Sequence, residues 1–224
     1  MVFNNMRLHA SSPLVRIALI LLILIWIWVV WFSDAGPAAA DESTLNNQGS
    51  QMSTPYPTSD TRPRVHLQTS HGDIEIELFD DKAPTTTEHI LKYVDDGFYD
   101  GLIFHRVIAG FVLQAGGFDI DMKERQTRGS IRNESDNGLE NLAGTLAMAR
   151  RADPDSADSQ FYINVADNGH LNARPGEPGY TVFGQVVAGQ DVVTRIELTE
   201  TGIRQGMPGV PVEAIVIKQA RRVD

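Results

Sequence analysis

Between Val65 and Gln219 the chain carries eight short runs rich in apolar and β-branched residues, none longer than eight residues. Glycine, proline, asparagine and aspartate punctuate them. Runs of that length are too short for buried helices but fit ordinary strands. Val65–Gln68 and Asp73–Leu78 alternate polar with apolar, and the turn Ser70–Asp73 between them reads as a hairpin. The others are Leu102–Val107, Phe111–Gln114, Thr145–Ala149, Phe161–Val165, Tyr180–Val187 and Val212–Gln219. Two segments break the pattern. Pro84 opens a stretch in which Ile90, Leu91 and Val94 share one helical face, ending at Gly97. Gln190–Ile196 reads as a second, short helix. The expected fold class is therefore mainly β, a closed antiparallel barrel with two α-helices outside it.

This domain occupies 64–224, and the chain ahead of it is of another kind. Ile17–Phe32 is a run of sixteen apolar residues with no polar face. As a helix it would be about 24 Å long, a little short of a hydrocarbon core of about 30 Å. It reads either as a transmembrane anchor, with Trp26, Trp28 and Trp31 at its exit end, or as the h-region of a cleaved signal. In the second reading Ala38-Ala39-Ala40 is the processing site. Arg7 and Arg16 precede the run, while Asp34, Asp41 and Glu42 follow it. That asymmetry puts residues 1–16 in the cytoplasm and the domain outside, which in a bacterium means the periplasm. Residues 33–63 are rich in small and polar residues, with Pro37, Pro55, Pro57 and Pro63. They read as a flexible linker.

Several kinds of chemistry are excluded or unsupported. There is no cysteine, which rules out disulfides, thiolate metal sites and a cysteine nucleophile. The net charge of −10 gives no electrostatic reason to bind nucleic acid. The six histidines, 9, 66, 71, 89, 105 and 170, show no metal-ligand spacing, and no nucleophile elbow, Walker A or H-E-x-x-H motif is present. No metal and no cofactor is expected.

What remains is a single cation in an apolar setting, G-L-I-F-H-R-V-I-A-G-F-V-L-Q-A-G-G over 101–117, and a small-residue loop ending in S-Q-F-Y over 159–162. Taken singly these are ordinary, an edge arginine and core phenylalanines. Taken in order, Phe104-His105-Arg106, Gly110-Phe111, Gln114-Ala115-Gly116-Gly117, then Met148-Ala149, Ser159-Gln160-Phe161 and Val182-Phe183-Gly184, the chain resembles the cyclophilin family. The likeness runs from about Val65 to Val216, and its second motif is similar to the periplasmic bacterial branch.

The resemblance implies an eight-stranded barrel capped by two helices, with a peptidyl-prolyl cis-trans isomerase site on its outer face. Arg106 would be the catalytic residue. Phe111, Val112, Phe161 and Leu171 would line the proline pocket, and Gln114 would orient Arg106. Ala149, Arg150 and Gln160 would flank the residue before proline, with His105, His170 and Tyr180 beside the site. His170 stands where the best-known members carry tryptophan, which implies weak cyclosporin binding. The implied partners are proline-containing peptides and unfolded exported proteins, the implied state a monomer held at the membrane by its N-terminal helix. A peptide-binding or chaperone module with incidental catalysis is the alternative.

Overall fold

A computed structural model describes residues 54–223. The segments 1–16 and 17–32 and most of the linker lie outside the described residues.

The alternation read from the sequence produces the first hairpin. Strands β1 (Arg64–Thr69) and β2 (Gly72–Leu78) pair antiparallel from Arg64↔Glu77 to Thr69↔Gly72. Val65, Leu67, Ile74, Ile76 and Leu78 are all buried on one face. Helix α1 (Pro84–Asp95) starts on its proline and buries Ile90, Leu91 and Val94. It is followed by β3 (Arg106–Ile108), β4 (Val112–Ala115), β5 (Thr145–Met148), β6 (Phe161–Asn164), β7 (Val182–Ala188) and helix α2 (Gln190–Glu197). Next come β8 (Thr201–Arg204), β9 (Met207–Pro211) and β10 (Ile217–Val223).

Eight strands form one curled antiparallel sheet in the order β10-β1-β2-β7-β5-β6-β4-β3, and β8-β9 stands apart as a two-stranded ribbon. The expected closed barrel is only partly laddered, because β10 and β3 share no register. Their edges meet just before each strand begins, through Phe104 N–H to Ile215 C=O (2.9 Å) and Ile217 N–H to Leu102 C=O (2.8 Å). The expected strand Leu102–Val107 is cut for the same reason. Leu102, Ile103 and Phe104 bond the 215–217 segment and Phe118 instead of a neighbouring sheet strand, and the ladder begins only at Arg106.

The expected last strand is displaced as well. Val212 is exposed and bonds Glu200 outside the sheet, and pairing with β1 begins at Ile217.

Both faces of the curled sheet are covered. The concave face holds the main core, in which Leu67, Ile76, Phe104, Leu113, Phe161 and Phe183 pack with Ile90 of α1 and Val193 of α2. On the convex face Phe79, Val112, Ala147, Tyr162 and Val182 form a second apolar layer.

Residues 54–63 depart from the linker expectation. Tyr56 is bonded to the side chain of Gln185. Ser59 N–H and the Arg62 guanidinium both bond the carboxylate of Glu77, whose side chain is fully buried. A buried carboxylate requires such partners, and this segment supplies them.

Candidate active site

Strand parity builds the site. In the ladders Arg106 of β3 opposes Gln114 of β4, Gln114 opposes Tyr162 of β6, Tyr162 opposes Ala147 of β5, and Ala147 opposes Val182 of β7. Directly opposed residues share a face. A row therefore runs across the convex layer from a cation, through an amide and a phenol, to an apolar floor. The loops close around it. A cavity of about 310 Å³ is lined by Arg106, Phe111, Val112, Gln114, Ala149, Arg150, Tyr162, Leu171 and Tyr180. A polar pocket of about 160 Å³ adjoins it, sharing Gln114, Ala149 and Arg150 and adding Gln160, Asp158, Arg151 and Glu124 among its walls. A larger cavity of about 450 Å³ around Asn133, Pro154 and Arg174 touches none of the predicted site residues.

The structure gathers most of these residues but corrects two of them. Phe161 faces the opposite way from the cavity. It sits in the concave core, 3% exposed, edge-on to Tyr99 at 5.6 Å. A shift of one residue along a strand changes face, so the aromatic floor is Tyr162 instead. His105 lies behind the site, 2% exposed and beside Phe118. Burial pushes its imidazole pKa down to about 4; the Ile103 backbone and Gln160 oppose the shift, and the Arg106 charge adds to it. His105 is not among the residues that line the cavity, and among the described residues its Nδ1 has no hydrogen-bond partner.

The other side chains are held in distinct ways. The Arg106 guanidinium lies 5.7 Å from the Phe111 ring centre and enters none of the ion pairs among the described residues. Gln114 Nε2 donates to Gln160 Oε1 at 2.9 Å, which fixes the orientation of the amide. Arg150 spends its donors on backbone carbonyls, Pro178 at 2.9 Å, Gly179 at 3.2 Å and Arg151 at 3.0 Å, and lies 4.6 Å over Tyr180. It therefore clamps the 178–180 wall more than it offers a charge to the cavity. Leu171 ends the short 3₁₀ turn Gly169–Leu171 and lines the cavity, whereas His170 stacks on the outer side of Phe111 at 5.6 Å.

Beneath the floor runs a buried amide network that the sequence reading passes over. Tyr162 donates its phenol to Asn141 Oδ1 at 2.9 Å. Asn164 Nδ2 donates to Asn141 Oδ1 and to Thr145 Oγ1. Asn168 Nδ2 donates to Asn164 Oδ1 at 2.8 Å and to the carbonyl of Phe111 at 3.0 Å. Burial pushes the Tyr162 phenol well up, so it stays a neutral donor. Asparagines at 141, 164 and 168 are visible in the sequence, but their convergence is a product of the fold.

Among the residues that line the cavity there is no carboxylate, hydroxymethyl or thiol group to act as a nucleophile or an acid–base pair. What the site offers is an apolar slot for a compact ring, a cation over Phe111 at one edge and an oriented amide between two pockets. That suits binding and rotating a neutral chain, not cleaving it.

Comparison with known proteins agrees in kind. Residues 64–222 match the family described as cyclophilin type peptidyl-prolyl cis-trans isomerase/CLD. Peptidyl-prolyl cis-trans isomerase B of Escherichia coli is 52% identical over 159 residues, covering 69% of this chain and 96% of that protein. A peptidyl-prolyl cis-trans isomerase of Acinetobacter baylyi is 50% identical over 157 residues, covering 69% of this chain and 84% of its own length. The crystal structure of a cyclophilin type isomerase from Cryptosporidium parvum is similar with a TM-score of 0.61 at 25% identity, covering 73% of this chain and 98% of that one. A crystal structure of that isomerase in the presence of the dipeptide Ala-Pro gives 0.60 at the same identity, covering 72% and 99%.

Proposed function

Since the chain belongs to the cyclophilin-type peptidyl-prolyl cis-trans isomerases, we propose that it rotates X-Pro bonds by a non-covalent mechanism in which Arg106 is the catalytic residue. The barrier to be lowered is about 18–20 kcal/mol and arises from delocalisation of the nitrogen lone pair into the carbonyl. An X-Pro bond isomerises unaided over tens to hundreds of seconds, roughly. Proline would sit in the cavity floored by Val112 and Tyr162 and walled by Phe111 and Leu171. The guanidinium at the rim can donate to the prolyl nitrogen once twisting has localised the lone pair there. In the planar ground state that lone pair is not available. The contact is thus stronger in the transition state, which is the condition for catalysis. The apolar walls keep water from competing for it. A gain of about 10⁴-fold requires roughly 5.5 kcal/mol, within reach of one charge-assisted contact combined with distortion on binding.

The observation that carries this reading is the opposed row Arg106–Gln114–Tyr162 beside a cavity without a nucleophile. The test is the cis-to-trans rate of an X-Pro peptide with the full chain and its Arg106→Ala variant. A loss of about 10- to 100-fold is expected for removing one charge-assisted hydrogen bond. A variant as fast as its parent would leave a peptide-binding module and remove Arg106 from the mechanism.

We further propose that the substrates are unfolded exported proteins, met as a monomer on the periplasmic side of a bacterial inner membrane. The apolar run Ile17–Phe32 and the charges around it support this. The mass of the protein purified from cells tests the anchor, because loss of the first forty or so residues would mean a cleaved signal.

A further inference from the structure

The segment entering β1 is joined to the apolar layer that floors the cavity. The Tyr56 ring stands edge-on to Phe79 at 5.6 Å, and both belong to the cluster that contains Val112 and Tyr162. Buried Gln185 of β7 holds the Tyr56 backbone twice, accepting from its N–H at 3.0 Å and donating to its carbonyl at 3.0 Å. The Tyr56 hydroxyl accepts from Glu140 N–H at 2.8 Å.

The next residue, Asn141, is the hub under the site. Its Oδ1 accepts from the Tyr162 phenol, and its backbone N–H and Nδ2 both donate to Asn172 Oδ1, at 2.7 and 3.0 Å. Tyr162 is the cavity floor, and Asn172 directly follows Leu171, a cavity wall. Two hydrogen bonds and the two consecutive residues Glu140 and Asn141 therefore connect the Tyr56 hydroxyl to the floor.

We propose that Tyr56 is a positioning residue of the prolyl pocket. It fixes the Glu140–Asn141 backbone and, through Asn141, the placement of Tyr162 and Leu171, so that the end of the tether is built into the peptide site. This rests on the reading of that cavity as the prolyl pocket. A role confined to anchoring the segment would make Tyr56 redundant for the site, because Ser59 and Arg62 hold the same segment to Glu77 without it.

The test uses the full chain in detergent with Tyr56→Ala and Tyr56→Phe, an X-Pro peptide, and ¹⁵N-asparagine labelling. Tyr56→Ala is expected to raise KM about two- to tenfold, the weight of a lost hydrogen bond, with kcat nearly unchanged. Tyr56→Phe keeps the ring on Phe79 and should fall between parent and Tyr56→Ala. In both variants the side-chain amide signals of Asn141 and Asn172 should move in the absence of peptide. Unmoved amide signals and a parental KM in both variants, whatever the melting temperature does, would overturn the proposal. Should Tyr56→Ala not fold, Tyr56→Phe alone decides. A parent chain without isomerase activity would defeat the reading of the cavity, and the amide signals together with peptide Kd would still decide the role of Tyr56.

Discussion

Adjacent aromatics on β6 have opposite roles. Phe161 lies against Ala115 and Met148 in the ladders and points into the concave core; Tyr162 lies against Gln114 and Ala147 and floors the cavity. Truncating each should therefore fail differently. Phe161→Ala removes a buried ring and is expected to cost about 3–5 kcal/mol of stability, with the peptide affinity of the folded fraction close to parental. Tyr162→Ala is expected to weaken peptide binding strongly, since it opens the floor and leaves Asn141 Oδ1 with one donor fewer. Urea unfolding and a peptide titration on both variants check this, and a Phe161→Ala protein that is stable but cannot bind would contradict the assignment. The run Phe161-Tyr162-Ile163-Asn164 held a usable signal. Its inward pair is purely hydrocarbon, while its outward pair carries a hydroxyl and an amide. The family motif marks both aromatics without saying which faces out, so the choice rests on ladder parity. Arg106, Gln114, Phe111 and Leu171 were legible only through the ordered motifs that carry the family resemblance, since each is ordinary taken singly.

At the scale of elements, the strand that bears Arg106 is three residues long and lies at the edge of the sheet. The β8–β9 ribbon lies alongside it. Gly209 of β9 has φ 77°, and a Cβ there would come within 2.7 Å of Ile108 Cδ1 and 3.2 Å of the Val107 carbonyl, with Arg106 Cγ at 3.7 Å. Gly209→Ala would make the Ile108 side chain swing aside and crowd the Val107 carbonyl, in a backbone conformation that an L residue rarely adopts. It is expected to cost about 1–3 kcal/mol from overpacking and backbone strain, and to lower kcat/KM by disturbing Arg106. Gly206, at the ribbon turn, has φ 81° and open space around it. Gly206→Ala should carry the strain alone and leave kcat/KM as it was. Equal losses of kcat/KM in the two variants would show that β9 does not buttress the strand that carries Arg106. The ribbon escaped the sequence reading because Thr201, Ile203 and Arg204 are exposed and show no apolar alternation. Its one signal is the pair Gln205-Gly206, both at positive φ, a weaker turn mark than Asn-Gly.

For the molecule as a whole, the order of the two helices and the eight sheet strands, though not the ribbon between α2 and β10, could be read from period and punctuation. How the barrel closes, and the docking of 54–63, could not, because both depend on partners far along the chain: Leu102–Phe104 with Ile215–Ile217, and Tyr56 with Gln185. The same folding traps His105 against the back of the site with its pKa lowered to about 4 by burial. The unfolded chain takes up that proton near pH 6.5, the ordinary histidine value. Between these two pH values the unfolded state binds more protons, so stability falls as pH falls. The loss from this group reaches about 3 kcal/mol near pH 4. Burial also lowers the pKa of His89, half-buried against Asp158, which adds to the same slope. The ion-paired carboxylates Asp95 and Asp191 have lowered values and lose their contribution in the same direction, at lower pH. The urea midpoint of the parent should therefore drop steadily from pH 7 to pH 4, and His105→Gln should flatten the part of that slope above the carboxylate range. A variant that keeps the parental slope would place the acid sensitivity elsewhere. Because His105 stays neutral in the folded protein until about pH 4, isomerase activity per folded molecule should hold across this window, and any decline in total activity should follow the folded fraction and reverse on neutralisation.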